Sequence, residues 1–324
     1  MSQWRKELKF DPLPALLSAD DRFLQFFVER DLLNTIPGPS EYLWEQPSVR
    51  KILTKQQVDG SWRFKGKRPG EEFGEAYELL ETWKVLRGLV EMTAFTRSHP
   101  GIERACEFIL GYQTGEGDIR GILSNQYAPY YTGAMLEILI KAGYAHDERI
   151  HKGLQWLLSM RQNDGGWIIP LAMFKMQAYY QLFNQPPIPP DRSLPFSHLA
   201  TGMVIRAFAA HPIYRKSPEA IHAGHLLISR IFQKDAYTSR QSAEYWVKFQ
   251  FPFWWTDLLT VMDSLMRMKF NRTDPDVAKA LEWFIENQTE DGMWRSYYGG
   301  ASKGFSDEWV TLAVCRVLKY FLKD

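Results

Sequence analysis

The stretch LLSMRQNDGGW, Leu157 to Trp167, decides how the chain folds. An apolar helical run gives way to Gln162, then to the acid–glycine pair Asp164–Gly165, then to a tryptophan. Glycine takes the left-handed conformation at a helix stop, and a short acid satisfies the backbone groups freed in the turn. Trp167 is then expected to fold back as an apolar wedge against a neighbouring helix pair. Alone, this would be an ordinary helix stop. Four further segments follow the same plan: LTKQQVDGSW (Leu53 to Trp62), FILGYQTGEGDI (Phe108 to Ile119), LISRIFQKDAY (Leu227 to Tyr237) and FIENQTEDGMW (Phe284 to Trp294). Their glutamines, Gln57, Gln113, Gln162, Gln233 and Gln288, are expected to bridge backbone groups of adjacent repeats. Setting aside the insertion 184–196 (NQPPIPPDRSLPF), whose prolines exclude helix, the period is roughly 55 residues, enough for two helices and two loops. Self-similarity of this kind marks a repeat architecture.

Between the motifs lie second helices, expected over 72–95, 130–142, 197–210, 253–268 and 306–322, the last with Ser306 and Asp307 as capping residues. Helices ahead of the motifs, such as 102–112 and 277–287, carry polar faces (Glu103, Arg104, Glu107; Lys279, Glu282, Glu286). The second helices are apolar around more of their circumference. This alternation predicts an outer and an inner helical layer. The expected fold is all-α and one domain over 1–324, with residues 1–47 as an N-terminal extension helix and 184–196 as an inserted loop.

Composition narrows the partners. The 324 residues include 39 basic and 38 acidic side chains mixed along the chain, for a formal charge of +1. Without a basic stripe, nucleic acid is a poor partner. Twelve Trp, fifteen Tyr and twenty Phe supply more rigid flat surface than a plain helix bundle needs. Cys106 and Cys315 sit in apolar helical patterns and read as buried thiols of a reducing compartment. No segment approaches eighteen uninterrupted apolar residues, and the first residues contain no apolar run of the secretion-signal type. The expected location is the cytoplasm, with no membrane anchor.

The glutamine, Asp-Gly and Trp of LTKQQVDGSW and LLSMRQNDGGW resemble the QW-type repeats of the squalene/hopene cyclase and prenyltransferase β-subunit superfamily, over nearly the whole chain from about Ser48 onward. The resemblance implies an α/α toroid, here of about five to six helix hairpins, with a cavity bounded by the inner helices. The chemical motifs match less well. The DxDD acid of class II terpene cyclases has only Ser18-Ala-Asp20-Asp21 as a counterpart, without the first aspartate, and that run reads as a helix N-terminus. The zinc-binding Asp-x-Cys of protein prenyltransferases is absent, since Cys315 follows Ala-Val, and so is a DDxxD segment. His222 and His225, spaced i, i+3, have no third ligand in view and read as surface histidines. No metal and no cofactor is expected.

In such a ring the pocket is expected where the inner helices begin. Residues at those positions are candidate ligand contacts: Glu75 with Tyr77 and Glu78; Tyr127, Tyr130 and Tyr131; Arg240, ahead of Pro252; Trp254 and Trp255; Tyr297; and Trp309. In FQFPFWWTD (Phe249 to Asp257), Pro252 breaks the chain, and a helix beginning at Phe253 would set Asp257 one turn below Trp254. Burial there would raise its pKa, making Asp257 the candidate general acid, against the bland reading of an N-terminal acid that serves the helix dipole. His198 is the candidate base, against a helix-end role. Phe and Trp suit an isoprenoid or another apolar small molecule; Tyr, Arg, Glu and His suit a saccharide. The expected function is that of a terpene-cyclase-like or prenyltransferase-like protein with a small-molecule ligand in a central aromatic cavity. The alternatives are a lyase-like carbohydrate enzyme and a non-catalytic binding protein.

Overall fold

The computed structural model describes residues 3–68, 74–173, 181–237, 242–297 and 306–322. Twelve principal helices pair into six hairpins: α1 Leu13–Ser18 with α2 Arg22–Phe27, α3 Pro47–Leu53 with α4 Tyr77–Thr93, α5 Pro100–Leu110 with α6 Pro129–Leu139, α7 Glu148–Ser159 with α8 His198–Ala210, α9 Pro218–Ile228 with α10 Leu258–Arg267, and α11 Pro275–Glu286 with α12 Asp307–Phe321. α2 runs on through a π-helical segment, Val28–Leu33, and α6 through another, Ile140–Tyr144. The even-numbered helices pack in sequence around an inner ring, and α2 lies between α12 and α4 to close it. The odd-numbered helices form the outer layer. The fold is an all-α toroid. Every described residue of α6 and α8 except Ala210 is buried, as the all-round apolar sequence of these helices requires.

The repeat motif is a recurrent hydrogen-bonding device. The indole N–H of Trp62, Trp167 and Trp294 donates to the carbonyl of Ile52, Leu157 and Phe284 respectively, each on the preceding outer helix. The backbone N–H of Trp62, Ile119, Trp167 and Trp294 donates to a buried threonine hydroxyl on the following inner helix: Thr82, Thr132, Thr201 and Thr311. The motif thus ties its own hairpin together at both ends.

The glutamines tie one hairpin to the next. Gln113 donates to Gly117 O and to Arg149 O at the start of α7, 2.8 Å each. In the first repeat Gln56, rather than the expected Gln57, takes this role, reaching Gly60 O and Gly101 O. Gln57 Nε2 turns back to Lys55 O. Arg161 occupies the equivalent place in the third repeat, donating to Gly165 O, while Gln162 pins the inserted loop through Asp191 O and Leu194 O. The Gln233 side chain bonds within its own helix end, donating to Ser229 O and accepting from Arg230 Nη1, while its carbonyl accepts from the Trp246 indole N–H. The glycines lie in the turn several residues beyond the helix stop. Gly60 and Gly292 have φ near +91° and +81°, and a Cβ there would meet Arg104 O at 2.3 Å and Asp11 O at 2.7 Å. Glycine lets the turn press against the backbone of the next hairpin.

The same contacts seal the ring. Gln288 Oε1 accepts from Phe10 N at 3.0 Å, and its Nε2 donates to Phe10 O at 2.8 Å. The N-terminal residues, expected as an extension, therefore dock as the hairpin that follows the last repeat. The insertion 184–196 contains no helix and lies across the start of α6, where Gln126 bonds Leu182 O and Ile188 N. Among the described residues, no helix is long and apolar enough to cross a membrane.

Candidate functional site

The sequence candidates gather near the starts of the inner helices but do not form one chamber. Tyr131 and Trp254 each set an edge against Trp83, with ring centroids 6.2 and 5.1 Å apart, and Trp255 packs on Trp254. Tyr130 leans on Tyr131. Glu75 accepts from the Tyr77 hydroxyl at 2.7 Å and lies near enough to Tyr131 to add to the burial that pushes that phenol up to about 12. The other candidates are dispersed. Tyr127 bonds Glu116 at 2.7 Å beneath Arg120. Tyr297 is exposed, with the Lys248 ammonium over its ring. Trp309 stacks on Phe251 and donates to Asp21 at 2.9 Å. Asp21 itself caps α2, accepting from Phe23 N and Leu24 N. Arg240 lies outside the described residues.

Asp257 is buried, but Trp254 does not share its helix. α10 starts at Leu258, with Asp257 as N-cap: its carboxylate accepts from Thr260 N while its own N–H donates to the Thr260 hydroxyl, 2.8 Å each. This reciprocal cap fixes the helix start five residues later than a helix beginning at Phe253 would have it. Burial pushes the Asp257 carboxyl up to about 7, against the bonds from Thr260 and the nearby Arg206, which pull it down. His198 is the first residue of α8, and its ring packs on Trp246. Burial lowers its pKa, and Asp235, 3.7 Å away, offsets this only in part. Asp235 mainly serves the helix start, accepting from the Ser197 hydroxyl and Leu199 N.

A cavity of about 840 Å³ lies at the other end of the ring, among the C-terminal turns of α4, α6, α10 and α12 and the π-helical end of α2. Its lining includes the apolar and aromatic side chains Phe26, Phe27, Val90, Phe95, Met266 and Tyr320. It also includes Arg30, Lys141, Arg267, Arg316 and Lys319, with only Asp31 and Glu91 as acids, and the Arg30 and Arg316 guanidinium groups lie over the Phe27 ring. The cations belong there for a local reason. Helix C-termini leave carbonyls unsatisfied and carry partial negative charge. Lys319 Nζ donates to Asp31 O, Leu32 O and Asn34 Oδ1 at 2.6–3.1 Å, covering the end of the π-helical segment. Burial would raise the Asp31 carboxyl, but Arg316 and Arg30 outweigh it and hold the group below the usual carboxylate range. Glu91 is paired with Lys141, and Lys141 also reaches Glu137 at 2.7 Å.

Below the cavity an ion ladder continues down the ring. Glu137 accepts from Arg206 Nε at 2.8 Å, with both side chains nearly fully buried, and Asp263 pairs with Arg267 at 2.6 Å. Burial would raise both carboxyls, but the guanidinium and ammonium partners keep them low. Neither the ladder nor the cavity was among the sequence candidates. The signal was present: Glu137, Arg206 and Asp263 are charged positions inside largely apolar helices. Among the described residues, no group of three or more His, Cys, Asp or Glu side chains is placed to hold a metal ion.

The chain is similar to solved structures of distant sequence. A protein from Actinoplanes is 14% identical, with 87% of each chain covered and a TM-score of 0.44. A variant of a type II terpene cyclase from Scytonema, solved in complex with geranylgeranyl dihydroxybenzoate, is 13% identical, with 86% of this chain and 84% of that chain covered and a TM-score of 0.42. No curated protein matches the sequence. Residues 132–308, more than half of the chain, match the model of the squalene-hopene cyclase C-terminal domain. They take in three inner helices, the inserted loop and the last three repeat motifs, and the chain belongs to the squalene-hopene cyclase C-terminal domain family.

Proposed function

We propose that the protein binds an isoprenoid-type molecule with an anionic or strongly polar head in the cavity at the C-terminal ends of the inner helices. The observation that carries this reading is the mixed lining of the cavity. Phe26, Phe27, Phe95 and Tyr320 offer contact to a hydrocarbon chain, while Arg30, Arg316 and Lys319 bring cationic groups to the same space. A volume of about 840 Å³ falls in the range of small-molecule sites. A saccharide enzyme of the lyase type would call for an available base or facing carboxylates in the groove, and Asp31 and Glu91 are each held in ion pairs.

A catalytic reading rests on Asp257. Among the described carboxyls it is the one held well above the usual range, at about 7, the value that suits a general acid near neutrality. In this reading a chain reaching the starts of the inner helices would take its proton from Asp257.

Native mass spectrometry of freshly purified protein, followed by solvent extraction, tests the binding reading. A co-purifying prenyl phosphate or acidic isoprenoid is expected; a bound oligosaccharide would contradict it. Turnover of the extracted compound by wild type but not by folded Asp257→Asn would establish the catalytic reading, and equal turnover by both would remove it.

A further inference from the structure

Two arginines meet inside the ring with too few carboxylates to serve them. Arg87, on α4, is 5% exposed, and Arg206, on α8, is 2% exposed. Arg206 has a partner in Glu137. Arg87 has no ion pair among the described residues, and its one hydrogen bond runs from Nη1 to the carbonyl of Phe253 at 2.8 Å. Arg206 Nη1 donates to the next carbonyl, that of Trp254, at 2.9 Å. The Arg87 guanidinium is 4.9 Å from the ring centroids of both Trp83 and Trp254. Burial pushes Arg87 down to about 9, and the Arg206 charge adds to the effect. It is still a cation at neutral pH.

Three buried donors in this cluster lack an acceptor: Arg87 Nε, Arg206 Nη2 and Trp254 Nε1. A buried donor without an acceptor is costly, and an unpaired buried charge more so. The charges facing the cluster do not balance it. Glu137, from α6, is shared between Arg206 and Lys141, and Glu91, from α4, is paired with Lys141. Asp263 is matched by Arg267, and Asp257, from the start of α10, is the acid whose ionised form burial disfavours.

We propose that Arg87, Arg206 and the Trp254 indole N–H form a buried site for one compact monovalent anion of the halide or formate class, lying in the ring beneath the cavity floor. The anion neutralises Arg87 and supplies the acceptor that the three donors lack, as charge-assisted hydrogen bonds to a guanidinium require. This site does not depend on what occupies the larger cavity above it.

The test is a thermal melt of the full chain in sodium gluconate, with sodium bromide replacing gluconate at constant ionic strength. Gluconate is too bulky to reach donors this deeply buried among indoles and guanidinium groups. The expected result is a saturable rise of a few degrees in Tm with bromide, by mass action on the folded state. Arg87→Met removes the unpaired cation, so its Tm in gluconate alone is expected above that of wild type and indifferent to bromide. Trp254→Phe keeps a ring in place and removes one donor; it is expected to need about fivefold more bromide for the same rise, a value in keeping with one lost hydrogen bond. A wild-type Tm that ignores bromide overturns the proposal. So does a wild-type bromide response in both variants.

Discussion

Trp294 and Thr311 are joined by a 3.0 Å hydrogen bond from the tryptophan backbone N–H to the threonine hydroxyl. That hydroxyl also faces the Trp294 carbonyl, at 3.3 Å. Thr201 makes the same pair of contacts with Trp167, and Thr132 with Ile119. The threonine therefore completes the motif from the far side of the hairpin, where its side chain satisfies backbone groups that no strand or helix reaches.

Thr201→Val keeps the shape of the side chain and deletes its polar atom. Leaving the Trp167 N–H buried and unsatisfied is expected to cost roughly 1–3 kcal/mol, with Thr201→Ser close to wild type. Urea denaturation of the three proteins measures it, and a Val variant as stable as wild type would show that the hydroxyl is dispensable.

Trp167→Ala removes a fully buried indole and its bond to Leu157 O. The expected loss is roughly 3–5 kcal/mol, as for other large-to-small core truncations. An unchanged thermal midpoint would refute the role of Trp167 as the wedge within its hairpin.

Much of the ring was legible in the sequence because its signals are local. The Asp-Gly turns, the tryptophans and the polar-faced outer helices can each be read within a dozen residues. Thr82, Thr132, Thr201 and Thr311 escaped because a threonine in an apolar helix has no distinguishing neighbour in sequence; its partner lies across the hairpin. The closure through Phe10 and Gln288 escaped for a similar reason, since the N-terminal hairpin carries no motif of its own. The site was less legible than the fold. Aromatic residues drew attention to the inner-helix starts, whereas the cavity lies among basic last-turn residues that resemble ordinary helix-dipole partners until the helices are assembled.

Gln288→Ala should loosen the seam rather than the repeats. Both amide contacts to Phe10 are lost, so amide exchange is expected to accelerate over residues 10–33 and to stay near wild type in α6 and α8. Equal acceleration throughout the ring would mean that the seam is not a separately opening unit.

Asp257→Asn tests the burial of the carboxyl through pH. The folded chain holds the Asp257 proton up to about pH 7, whereas the unfolded chain releases it near its ordinary value. Between those values the folded state binds more protons, so wild-type stability from this group is full below about pH 4 and declines until about pH 7. Asparagine keeps the cap and stays neutral. The variant is expected to match wild type near pH 4 and to exceed it by about 4 kcal/mol at pH 8, at about 1.4 kcal/mol per pKa unit. Denaturation curves at the two pH values decide it, and a pH-independent difference would place the carboxyl in a solvated or fully paired setting.

The mixed lining of the cavity is the centre of the account, and isothermal titration with farnesyl phosphate, farnesol, inorganic phosphate and maltohexaose tests it most directly. Because apolar and cationic side chains line one space, farnesyl phosphate is expected to bind at least about tenfold more tightly than farnesol or phosphate alone, a difference of about 1.4 kcal/mol or more. Binding of maltohexaose with no heat from farnesyl phosphate would contradict the account.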